Sequence, residues 1–157
     1  MTLGGPLFDI HFLTGPKVDP EGWQHAEAEL VIGTYRERLR VDLGTWSIED
    51  YSAQWRKAIR RLVDGQEHSR LLTSYRGPSA SYHFSWPIWR EGERIYLQEA
   101  LILSEQLASS FEPDAAWDIV TSRDPEQAGS TWVSEWEVSA DDLVAWLSRP
   151  SPPLVSA

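Results

Sequence analysis

The side chains able to do chemistry here are four histidines, 24 carboxylates and 14 basic groups, because the chain contains no cysteine. That excludes a thiol nucleophile, a thiolate zinc site and a disulfide framework. A nucleophile triad needs a serine beside a histidine that is itself oriented by a carboxylate. His11, His25, His68 and His83 are scattered, and none adjoins a GxSxG elbow. No HExxH pair or EF-hand loop occurs. Asp114 and Asp118 are the nearest approach to a cation pair, at i,i+4 if that segment is helical. A solvated helix face is the simpler account of them. Glu135 and Glu137 flank Trp136, and two residues on one strand face lie roughly 7 Å apart. Paired acids beside a tryptophan can serve a sugar, but Glu-x-Glu on a strand ordinarily faces water. Gly4-Gly5 precedes a strand rather than a helix, so it makes no phosphate cradle. The expectation is a binding protein and not an enzyme, with no catalytic residue, metal or cofactor.

The elements that position these residues belong to a chain of 157 residues, a length that favours one domain. Such a chain buries about 70% of the surface its unfolded form exposes, so it folds without staples. The N-terminus MTLGGPLFDIHFL lacks a basic region ahead of an apolar run, and no stretch of about 18 apolar residues occurs. A soluble, cytoplasmic protein is expected, without a membrane partner. The net charge of −10 is uneven. Residues 1–90 carry eleven acids and eleven bases, whereas residues 91–142 carry thirteen acids against Arg94 and Arg123. An acidic block repels a phosphate backbone, which argues against nucleic acid, and steers a basic protein toward it. The nine tryptophans are expected mainly in the core, with some left as interface anchors.

Residues 7–12 and 26–32 read as strands, the second alternating Ala26, Ala28 and Leu30 with Glu27 and Glu29. Residues 35–43 place Tyr35, Glu37, Leu39 and Val41 on one face and Arg36, Arg38 and Arg40 on the other. That arginine stripe either faces solvent or pairs with the acidic half. The clearest helix covers 47–64: Ser47 and Asp50 form a capping pattern, and Ile48, Tyr51, Trp55, Ile59, Leu62 and Val63 fall on one stripe. Residues 70–75 read as a strand. Residues 80–90 and 94–103 read as a hairpin, with Glu99 intruding on an apolar row and Pro87 marking a bulge or edge. Residues 104–131 are irregular, with a short helix starting after Pro113. A strand at 132–138 precedes a short final helix capped by Ser139. The expected fold is α+β, one domain over 1–148 with a disordered tail at 149–157. It has a mainly antiparallel sheet of about six or seven strands, the 47–64 helix packed on one face, and a short C-terminal helix.

Three segments carry a family resemblance: DLGTWSIEDYSAQWRKAIRRLVDG (42–65), FSWPIWREGERIYLQEALIL (84–103) and STWVSEWEVSADDLVAWL (130–147). Together they resemble the immunity proteins of bacterial contact-dependent growth inhibition toxin systems. The matching residues are structural ones. The resemblance implies a non-enzymatic cytosolic protein that binds and blocks a toxin domain, commonly a nuclease with a basic groove. The acidic block supplies complementary charge independently.

The contacts are expected on the irregular acidic stretch, at Glu112, Asp114, Asp118, Asp124 and Glu126, with Trp117 among them as anchor. The alternative is a carbohydrate- or small-ligand-binding module using exposed tryptophans. Oligomeric state is not fixed by these residues.

Overall fold

A computed structural model describes residues 7–107, 109–124 and 134–149. Glu126, Trp132, the start of the strand expected at 132, and the tail beyond Arg149 lie outside the described residues. The chain is an α+β domain whose strands form two antiparallel sheets. The first contains β1 (Phe8–Phe12), β2 (Lys17–Val18), β3 (Gln24–Ile32) and β4 (Tyr35–Asp42), with β3 flanked by β1 and β2 along one edge and β4 along the other. Ala26, Ala28 and Leu30 are fully buried, as their alternation requires. The arginine stripe of β4 pairs within its own half: Arg36 with Glu29, Arg38 with Glu27 and Arg40 with Asp19.

The second sheet contains β5 (His68–Ser74), β6 (Tyr82–Glu91), β7 (Arg94–Gln98), β8 (Ala100–Leu103) and β9 (Glu135–Ser139), in the order β5-β6-β7-β9 with β8 also on β6. β6 and β7 meet through a two-residue turn, Gly92-Glu93, with Gly92 at φ 65°. A glycine at positive φ suits the first position of such a turn. Ile88 opposes Leu97 and Ser85 opposes Ala100, so the shared register sets Pro87 against Gln98, where the ladder between β7 and β8 is interrupted. Proline has no N–H to donate there.

Helix α1 (Ile48–Val63) opens with a complete capping box between Ser47 and Asp50. Its buried stripe is Tyr51, Gln54, Trp55, Ala58, Ile59 and Leu62; each large apolar side chain so buried contributes roughly 1.5–3 kcal/mol. The single expected sheet is divided in two because α1 occupies the edge that would have joined the halves. The Gln54 amide donates to the Arg70 carbonyl (2.9 Å) and accepts from the Leu72 N–H (3.0 Å), while Trp55 Nε1 donates to the Leu72 carbonyl (2.7 Å). Side chains thereby satisfy the β5 edge as another strand would. Where β4 nears β5, the Asp42 N–H goes to the Ser74 hydroxyl.

Helix α2 (Ala140–Ser148) carries a second capping box, Ser139 with Asp142. It is tied to β1 through Trp146, whose indole donates to Asp9 (3.1 Å) and meets Phe8 edge-on. Arg149, just beyond, donates to the Phe8 carbonyl. Between the sheets, Trp136 packs on Tyr35 and Trp86 at centroid separations of 4.5 and 5.2 Å.

Candidate partner-binding surface

The acidic stretch is organised by a 3₁₀ segment, Pro113–Ile119, broken at Ala115 (φ −128°, ψ 37°). The break takes Asp114 and Asp118 out of the i,i+4 alignment that an α-helix would have given. Glu112, Asp114 and Asp118 are exposed and form no ion pair among the described residues. Trp117 sits amid them but is 8% exposed. Its ring lies under Lys57 and Arg61 of α1, at 5.6 and 4.7 Å. Trp117 thus fastens the acidic segment to the basic face of α1 and offers a partner little ring surface.

The remainder of the acidic block is divided among local tasks. Arg123 holds Glu135 through Nε (2.7 Å) and Nη2 (2.6 Å), reaches Glu91 (3.2 Å), and stacks 3.6 Å above Tyr96. Glu93 pairs with Arg90, and Asp142 caps α2. Glu137 is exposed while Glu135 is engaged, so the two do not form a matched catalytic pair. Among the described residues, no group of three or more histidine and carboxylate side chains is gathered as a metal would need. No described helix is long and apolar enough to cross a membrane.

A second surface feature is a cleft of about 470 Å³ lined by Trp23, His25, Arg76, Phe84, Glu37 and Glu99, among others. Trp23 is 63% exposed and Phe84 42% exposed. No periodicity marked Trp23, which stands in a turn closed by two backbone N–H bonds to the Asp19 carboxylate. Its neighbours Pro20 and Gly22 were the available signal. Phe84 shared the apolar row of Trp86 and Ile88, yet the core ends before reaching it.

The two glutamates that interrupt apolar rows in the sequence, Glu37 and Glu99, meet across this cleft. Burial, followed by the hydrogen bond and charge of Glu37, pushes the Glu99 carboxyl up to about 7. Tyr35 donates to Glu37 at 2.7 Å. A carboxyl raised on folding holds its proton more tightly when folded, so its contribution is complete below the ordinary glutamate range and is lost as pH rises toward 7. Glu99→Gln is expected to flatten the stability–pH profile in that window and to raise the urea midpoint at pH 8 relative to wild type. An unchanged profile would show that the two carboxyls do not share a proton.

The CdiI N-terminal domain model matches residues 41–146. The immunity protein CdiI of Enterobacter cloacae is 28% identical over 139 residues, covering 88% of this chain and 94% of that protein. The solved CdiA-CT/CdiI toxin and immunity complex from Enterobacter cloacae contains a chain that superposes with a TM-score of 0.76 at 28% identity, covering 89% of this chain and 95% of that one. Family match, near-complete length and shared fold agree: this chain belongs to the CdiI N-terminal domain family of contact-dependent growth inhibition immunity proteins.

Proposed function

We propose that this chain acts in the cytoplasm as a non-enzymatic immunity protein, binding a cognate toxin domain and neutralising it. The observation that carries this reading is its similarity along almost the whole chain to a protein found in a toxin–immunity complex. The contact surface is the acidic segment, with Glu112, Asp114 and Asp118 presented by the 3₁₀ turn and Asp124 beyond it; Glu126 follows in sequence. Trp117 holds that segment in place. The toxin is a basic domain, and a nuclease with a cationic groove suits an acidic inhibitor best.

The deciding experiment is growth of a naive host expressing a candidate toxin domain, taken from the C-terminal region of a large protein encoded directly upstream if one exists, with and without this chain. Rescue by this chain alone establishes immunity. Toxicity unrelieved by folded protein overturns the pairing. The doubly charge-reversed Asp114→Lys/Asp118→Lys protein is expected to associate about tenfold more slowly at low salt, with a shallower dependence on ionic strength. Stopped-flow association rates identical to wild type would remove both residues from the interface.

A second reading, a carbohydrate- or small-ligand-binding module, draws on exposed Trp23 over the 470 Å³ cleft. Stacking on Trp23 would be insensitive to salt and abolished by Trp23→Ala. Saturable sugar binding that survives high salt and is lost in Trp23→Ala, in a protein that gives no rescue, would favour this reading over immunity.

A further inference from the structure

On the face of the second sheet opposite the Trp86 row, β5 places Arg70 across from Pro87, and the β6–β7 register places Gln98 beyond it. These three residues, with Trp89, Ser122 and Asp124, line a cleft of about 230 Å³. Arg70 is only 8% exposed. Among the described residues its buried Nε–H has no acceptor, and no carboxylate stands within ion-pair distance of it. The contrast with Arg123 on the same cleft is direct, because Arg123 is neutralised by Glu135 and Glu91. Burial alone pushes the Arg70 guanidinium down to about 10, with no opposing charge to hold it up. A cation taken from water without a counter-charge carries a desolvation cost, which the attraction of an arriving anion offsets in part.

We propose that the Arg70 cleft is a receptor for a single carboxylate group. The two Nη groups, which unlike Nε are not shut off from solvent, offer parallel N–H donors that match two carboxylate oxygens. Asp124 on the wall and the net charge of −10 both oppose a dianion such as phosphate. The neighbouring groups leave the site open to a ligand: Gln98 is committed to Glu135 (2.8 Å) and the Trp89 indole to the Thr121 carbonyl (2.7 Å). The carboxylate can come from a free small acid or from an aspartate or glutamate of the toxin domain. The second source rests on the immunity reading.

The test follows the Arg70 Nε–H and Trp89 indole N–H resonances by NMR. The full-length protein is titrated with sodium acetate against sodium chloride at matched ionic strength. A saturable shift with acetate alone is expected, weaker at the indole in Arg70→Lys and absent in Arg70→Met. Arg70→Met exchanges an unpaired buried charge for an apolar chain of similar length, so its melting temperature is expected to rise by roughly 2–4 °C. In the second arm the purified toxin domain replaces acetate. Silence toward acetate, with both resonances moved by the toxin and about tenfold weaker binding in Arg70→Met, assigns the carboxylate to the partner and supports the site. Silence in both arms overturns it. A toxin domain that fails to bind wild type removes the immunity reading alone, because the acetate arm still decides whether Arg70 receives a carboxylate.

Discussion

Trp55→Ala is expected to remove about 3–5 kcal/mol of stability, measured by urea denaturation at neutral pH. The indole is 1% exposed and stacked on Phe12, with ring centroids 4.9 Å apart and planes within 16°. Its loss empties a volume shared by α1 and β1. It also strips the Leu72 carbonyl of its indole donor. The cavity and the lost donor add, which places the effect at the high end for a core truncation. Trp55→Phe separates them: most of the ring volume remains and the hydrogen bond does not, so a loss of about 1–2 kcal/mol is expected. Equal losses for alanine and phenylalanine would mean that the hydrogen bond to β5, rather than packing on Phe12, dominates.

Arg123→Met is expected to cost about 2–4 kcal/mol, because removing one partner leaves the other as an unpaired, poorly solvated charge. The Glu135 side chain is 9% exposed. Burial pushes its carboxyl up, but the hydrogen bonds from Arg123 and Gln98, with the Arg123 charge, outweigh that and hold it below the ordinary range. A carboxyl lowered on folding stabilises the fold above its unfolded pKa, and that stability is lost as pH falls through the folded value. Wild type and Arg123→Met should therefore differ most at neutral pH and converge in acid. A constant difference across that range would show that stacking on Tyr96, not the ion pair, is what Arg123 supplies. The same substitution releases the tether between residues 119–124 and β9, so the exposed acids should also lose their fixed position toward a partner.

Local chemistry was legible in the residues themselves. Both capping boxes, Ser47 with Asp50 and Ser139 with Asp142, are made as their spacing requires. Alternation along β1, β3 and β4 set which side chains are buried, because strand period and solvent are local matters. Glu37 stood on the face of Tyr35, Leu39 and Val41, and Glu99 intruded on the apolar row of residues 94–103, although neither position named the other. Gln54 lies in the apolar stripe of α1, and its polarity has a use only beside an open strand edge.

What the sequence by itself determined was the long elements, their inward faces and their caps, together with a family resemblance carried by those structural residues; it did not mark β2 at Lys17–Val18, and the strand read at 94–103 is divided into β7 and β8. Tertiary structure decided which elements became neighbours. It divided the strands between two sheets, turned Trp117 under Lys57 and Arg61, left Trp23 in solvent, matched Arg123 to Glu135 and left the Arg70 Nε–H without an acceptor among the described residues. The physical reason is range. Hydrogen-bond periodicity and capping act over three or four residues, whereas the pairing of charges and the burial of a ring depend on segments tens of residues apart, whose meeting no local pattern encodes.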